Sequence, residues 1–138
     1  MTAASEGDRM ILLKNLTPDE CYELLRKTTV GQIAFVDDEG QQLMPVNFIV
    51  LDELIYFRTV YTGILAQLTH GHRDVAFGAN GHDDTSHTGW NVTVRGSARQ
   101  VEDRATINKV LSGLSPWAGG VRSTVIEVRP QSVAGRKI

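Results

Sequence analysis

From residue 30 onward the sequence consists of short runs rich in Val, Ile, Phe and Tyr, separated by brief acidic or glycine-containing turns. This punctuation is typical of antiparallel strands. The first three runs cover residues 30–36, 42–50 and 54–59. Because the connections between them are short, consecutive strands are expected to pair as a meander.

Three further runs, at residues 74–79, 91–100 and 122–129, also have the composition of strands. The alternation is clearest in 91–100, where Val92 and Val94 alternate with polar neighbours, so one face of this strand is expected inside. The segment 80–89 is polar and bounded by glycine, which predicts a loop.

Helical signals flank these strands. Thr17, Pro18 and Glu20 form the pattern of a capping box, and Leu16 can staple onto Cys21. Asp103 can cap a second helix, and residues 62–68 predict a brief third one. The second helix carries an apolar stripe of Ile107, Val110, Leu111 and Leu114. Since strands and helices do not alternate, the pattern favours a mainly β, closed antiparallel barrel over a parallel doubly wound sheet.

Composition limits the class of protein. A chain of 138 residues with 41% hydrophobic residues predicts one domain, 1–138, with residues 1–10 as a flexible tail. The lone Cys21 is expected to be a buried structural thiol in a reducing cytoplasm. The net charge of −2, without a Lys/Arg cluster, argues against nucleic acid as a partner. No secretory signal and no apolar run of roughly 18 residues is found, so a cytoplasmic protein outside the membrane is expected.

Histidine and aspartate are concentrated in one region, which raises the question of a metal site. The residues concerned are His70, His72, His82, Asp83, Asp84 and His87. Their spacing matches no zinc signature, and a polar loop collects such residues because it is solvated, so no metal is expected. The sequence also lacks a nucleophile elbow, a Walker phosphate loop and a dinucleotide glycine fingerprint.

A candidate anion site lies where the third strand ends. Arg58 offers a charged donor fork, Thr59 and Thr62 offer hydroxyls, and Gly63 permits close approach to a helix start. The alternative is that Arg58 is an ordinary solvated residue on the outward face of its strand, beside Tyr56. The residues alone leave both interpretations open.

Six short motifs, taken in order, carry a family resemblance. They are GQIA at 31–34, PVNF at 45–48, IYFRT at 55–59, TGWNVTVRGSA at 88–98, PWA at 116–118 and GRKI at 135–138. With these motifs the chain resembles the FMN-binding split barrels related to pyridoxamine 5′-phosphate oxidase, over nearly its whole length. The resemblance implies a six-stranded antiparallel Greek-key split β-barrel with two or three peripheral helices.

The resemblance also implies a homodimer, with a flavin in the groove between subunits and a small-molecule substrate. Backbone groups of Pro45, Val46, Asn47 and Phe48 would meet the isoalloxazine. Arg58 and Thr59, with Thr62 and Gly63, would hold the ribityl phosphate, and Trp90 and Trp117 would lie near the cofactor or the dimer seam. For the two tryptophans a core or interface position is the equal alternative.

One departure concerns Ile64, which stands where many relatives have lysine in the motif Gly-Thr-Lys-Leu. Losing one charge-assisted phosphate contact costs about 1.5 to 3 kcal/mol.

The leading hypothesis is an FMN-dependent oxidoreductase in which no side chain is an obvious acid or base. The alternatives are a deazaflavin-dependent reductase and a non-catalytic dimer that binds flavin or no cofactor.

Overall fold

Strands that close into a barrel make up most of the described chain. A computed structural model describes residues 13–60, 63–114 and 124–138. The strands are β1 (Lys14–Asn15), β2 (Val30–Asp37), β3 (Gly40–Leu51), β4 (Leu54–Thr59), β5 (His72–Asp83), β6 (Thr88–Gln100) and β7 (Thr124–Lys137). The helices are α1 (Pro18–Arg26), a 3₁₀ helix (Ile64–His70) and α2 (Arg104–Gly113).

The strand order is β1-β7-β4-β3-β2-β5-β6, and β6 also pairs with β7, which closes six antiparallel strands into a barrel. Strands β2 to β4 form the expected meander, and β5 returns to lie beside β2, which is a Greek-key arrangement. The predicted mainly β barrel is therefore confirmed. The sheet has seven strands in the described residues instead of six, because the two-residue β1 pairs with the end of β7. Two residues are too few for an alternation that the sequence could reveal.

Two predicted boundaries are wrong. Residues 80–83 and 88–89, predicted as loop, belong to strands: residues 80–83 pair with residues 88–91 as the end of the β5–β6 hairpin. Polar residues there extend a solvated hairpin, and Asp83 closes its turn by accepting hydrogen bonds from the backbone N–H groups of Thr85 and Ser86. The last strand continues to Lys137 because it pairs with β6 along almost its whole length.

The hydrophobic core has two parts. The larger part fills the barrel and includes Val94, Phe57 and Phe77, all without solvent exposure. Cys21 lies in it, as expected for a structural thiol, and burial raises the pKa of this thiol. The smaller part lies outside the barrel, where α2 packs its apolar stripe on the outward faces of β4 and β7. Residues 54–57 of β4 and 124–128 of β7 are consequently covered on both faces.

The helix caps agree with the sequence. The Thr17 hydroxyl accepts from the backbone N–H of Glu20, and the Glu20 carboxylate accepts from the backbone N–H of Thr17, which completes the capping box. Asp103 caps α2 by accepting from the backbone N–H of Thr106 at 2.9 Å.

None of the described helices is long and apolar enough to cross a membrane. The predicted tail 1–10 lies outside the described residues.

Candidate functional site

The outward faces of β3 and β4 bring two of the predicted site residues together. Along β4, Ile55, Phe57 and Thr59 are buried in the barrel, so Arg58 lies on the outward face, half-buried. On β3, Val46 and Phe48 are buried inside and Asn47 faces outward. Since Phe48 pairs with Phe57, Asn47 and Arg58 lie one step beyond this pair on adjacent strands.

Strand β3 has an open backbone edge beside Arg58. The β3–β4 pairing runs from Leu51 and Leu54 to Phe48 and Phe57 and stops there, whereas β3 continues back to Gly40. On its other side β3 stays paired with β2 through Asn47. Among the described residues no strand covers the β4-facing edge of residues 45–47. The backbone carbonyls of residues 45–47 and the N–H groups of Val46 and Asn47 on this edge are candidates for ligand contacts, whereas Phe48 is already paired with Phe57.

Three further predicted residues follow Arg58. Thr59 is buried on the inward face, and its hydroxyl donates to the Val60 carbonyl at 3.3 Å, so its side chain is directed away from Arg58. Gly63 precedes the 3₁₀ helix with φ of 99°, a conformation that favours glycine. Ile64 opens that helix and is 36% exposed. Thr62 lies outside the described residues.

A buried carboxylate that the sequence analysis missed orients the strand before Arg58. Glu127 on β7 is only 4% exposed and accepts hydrogen bonds from the Tyr56 hydroxyl at 3.2 Å and from Arg99 Nε at 3.1 Å. Arg129 contacts the same carboxylate at 3.4 Å. Burial, and then the Glu127 charge, raise the pKa of Tyr56. The available signal was a lone acid within the apolar run 124–128.

Trp90 lies far from Arg58 within one chain. It lies near the start of β6, whereas Arg99, nine residues later, lies beside Glu127 and Tyr56. At about 3.3 Å per residue, nine residues span roughly 30 Å. Trp90 instead lines a cleft of about 700 Å³ between α1, the β5–β6 hairpin and the end of β7. Trp117 lies outside the described residues.

The histidine- and aspartate-rich region does not assemble into a ligand set. His82 lies 3.6 Å from the Asp84 carboxylate, and both side chains are largely exposed. Elsewhere, His72 contacts the Val36 carbonyl through Nε2 at 3.0 Å. In the part of the chain that the structure describes, no three His, Cys, Asp or Glu side chains are placed to share a metal ion.

A comparison with protein families identifies the family to which this fold and these motifs belong. The family model described as pyridoxamine 5′-phosphate oxidase matches residues 17–137. The chain belongs to this family. The solved structures that are similar to this chain are split barrels of the same family. The resemblance noted in the sequence is therefore confirmed.

Individual relatives agree with this assignment. The uncharacterised protein Rv0080 of Mycobacterium tuberculosis is 30% identical over 127 residues, which covers 89% of this chain and 84% of that protein. Among solved structures, the FAD binding protein from Mycobacterium smegmatis has 30% identity and a TM-score of 0.76, covering 91% of this chain and 99% of that one. An FAD-binding protein from Mesorhizobium loti has a TM-score of 0.80, covering 92% of this chain and 99% of that chain. Its identity is 19%, so it is evidence for the fold alone.

Proposed function

We propose that this chain binds a flavin, with FMN as the preferred form, and uses it as the cofactor of an oxidoreductase acting on a small molecule. The observation that carries the proposal is the open backbone edge of β3 at residues 45–47. Arg58 lies beside this edge, on the outward face of β4. The pyrimidine edge of an isoalloxazine alternates donors and acceptors, as an open strand edge does. The guanidinium fork of Arg58 suits a phosphate.

The 30% identical FAD binding protein from Mycobacterium smegmatis supports a flavin. FMN and FAD both carry a phosphate on the ribityl chain, so a contact from Arg58 serves either form. The bound flavin would supply the hydride chemistry. The part of the chain is to orient the ring along β3 and to fix the phosphate at the end of β4.

The cofactor site is proposed to be completed by a second copy of the chain. Val30 and Val36 on β2 and Leu43 on β3 are 48%, 60% and 62% exposed on the outward face of the barrel. Apolar exposure grouped on one sheet face suits a protein interface. A partner chain would also allow Trp90 to meet the flavin, since Trp90 lies roughly 30 Å along β6 from Arg99, at the Arg58 end of its own chain.

A titration tests the proposal. Flavin-free protein is titrated anaerobically with FMN, FAD, riboflavin and the deazaflavin coenzyme, and binding is read by absorbance and fluorescence. Saturable FMN binding supports the proposal. Binding of the deazaflavin alone favours a deazaflavin-dependent reductase, and binding of none favours a cofactor-free dimer.

The variant Arg58→Ala tests the site itself. It is expected to weaken FMN by about 1.5 to 3 kcal/mol while leaving riboflavin, which lacks the phosphate, nearly unchanged. Arg104→Ala, which removes an exposed arginine on α2, is the control and should change neither ligand. Equal losses of FMN and riboflavin would mean that Arg58 acts through folding.

A further inference from the structure

A second cavity, of about 410 Å³, lies on the outward face of the barrel and is lined by residues of β2, β3, β5, β6 and β7. This volume is within the range of small-molecule sites. The small residues Ala34, Ala76 and Gly96 line it and leave room. Its polar side chains are Gln41, Gln42, Asp74, Arg95 and Gln131.

The cavity exists because β2 and β5 part. Their pairing covers only three residue pairs and ends at Ala34 and Ala76. Beyond this point His72 reaches across to the Val36 carbonyl in place of a strand partner. The space between the two strands opens outward, and residues of both strands line it.

Two register irregularities border the same cavity. One lies between β5 and β6, from His72 to Val75. The other lies between β6 and β7, where Arg95 pairs with Ser132 and Gly96 with Pro130, so that Gln131 is the extra residue. A Cβ on Gly96 would collide with the Arg129 carbonyl, so this bulge depends on glycine. Bulges redirect side chains and are frequent beside active sites.

The charged groups of the cavity are not used within the described chain. Arg95 is exposed between the buried Val94 and Gly96, and its guanidinium has no hydrogen-bond or ion-pair partner among the residues described. The Asp74 carboxylate likewise has none there, although the backbone N–H of Asp74 donates to His72 Nδ1. Arg99 and Arg129, by contrast, are both held by Glu127. The Arg95 guanidinium and the Asp74 carboxylate therefore both line the same cavity and can contact a ligand there.

We propose that this cavity binds a small molecule through an anionic head group, a carboxylate or a phosphate, held by Arg95 and Gln131. A donor group of the same molecule faces Asp74. The cavity begins at Ala34, two residues along β2 from the Gln32–Pro45 pair, or about 7 Å. We assign this molecule as the substrate, and that assignment rests on the proposed flavin function. Anion binding in the cavity does not depend on it.

Residue-resolved NMR on the full-length, flavin-free protein tests the inference, with inorganic phosphate and acetate as separate probes. We expect saturable shifts of the Arg95 Nε–H and Gln131 side-chain amide signals. The stronger of the two probes identifies the head group. Arg95→Gln should weaken this binding at least tenfold, Arg95→Lys should restore part of it, and Arg104→Gln should leave it unchanged.

Shifts confined to Arg58 or to other arginines, or equal affinity in wild type and Arg95→Gln, would overturn the inference. A parallel FMN titration separates it from the flavin proposal. FMN binding without phosphate or acetate binding at Arg95 removes the cavity inference alone. Anion binding at Arg95 without FMN binding removes the flavin proposal and leaves an anion site.

Discussion

At the scale of single residues, strand alternation decides which predicted side chains can act together. Tyr56 and Arg58 on the outward face of β4 require Thr59 to face inward, as it does. The sequence already contained this constraint, although the motif grouped Thr59 with Arg58. Glu127 was not predictable as a network centre, because its partners Tyr56 and Arg99 are distant in sequence and meet only through barrel closure.

Ile64 provides a gain-of-binding prediction. At 36% exposure it can be replaced by lysine without burying a charge. Ile64→Lys is expected to tighten FMN by about 1.5 to 3 kcal/mol, since the ammonium adds a charge-assisted phosphate contact, and to leave riboflavin unchanged. Fluorescence titration at one fixed salt concentration measures both. Leu13→Lys, at another exposed apolar position, is the control; tightening of riboflavin as well would contradict a phosphate contact.

Tyr56 provides a pH-dependent prediction. Burial and the Glu127 charge raise its pKa in the folded protein, so above about pH 10 the unfolded chain loses the tyrosine proton first and stability falls as pH rises. Tyr56→Phe should reduce this alkaline loss and cost about 1 to 3 kcal/mol at pH 7 through the lost hydrogen bond. Denaturant unfolding at pH 7 and 10.5 measures both effects. Cys21 and Tyr22, whose pKa values burial also raises, contribute to the remaining slope; an unaltered slope would argue against Tyr56.

At the scale of elements, the sequence predicted the interiors of strands and helices better than their ends. The alternation in 91–100 correctly identified the inward face of β6. The capping residues of α1 and α2 also fixed where those helices begin. The β5–β6 hairpin was longer than predicted because its pairing is made by the backbone, which polar side chains do not reveal.

Val94 tests the register of β6. It is fully buried and pairs with Phe77 on β5 and Val133 on β7. Val94→Asp is expected to abolish soluble folding, because it places an unpaired charge in the barrel, with a loss of more than about 4 kcal/mol. Asn91→Asp adds the same carboxylate at an exposed position of this strand and should change little. Thermal unfolding compares the two; a Val94→Asp protein melting within a few degrees of wild type would refute this register.

At the scale of the whole molecule, the sequence predicted the class of fold and the family, whereas the separation of the site residues required the barrel. Trp90 and Arg58 belong to one set of family motifs, yet lie at opposite ends of the β6–β7–β4 ladder. Only the register of paired strands converts sequence order into this distance. For a site that uses both residues we therefore propose a second chain.

The final prediction is therefore a homodimer on which flavin binding depends. Sedimentation of the wild type should give a species of about twice the 15.2 kDa chain mass. Leu43→Glu adds a charge to the proposed contact face and should yield a folded monomer, since Leu43 is 62% exposed and contributes little to the core. This monomer should bind FMN at least tenfold more weakly although Arg58 is intact, while Leu13→Glu should remain dimeric. A wild type that sediments at 15.2 kDa with full FMN affinity would show that one chain is sufficient.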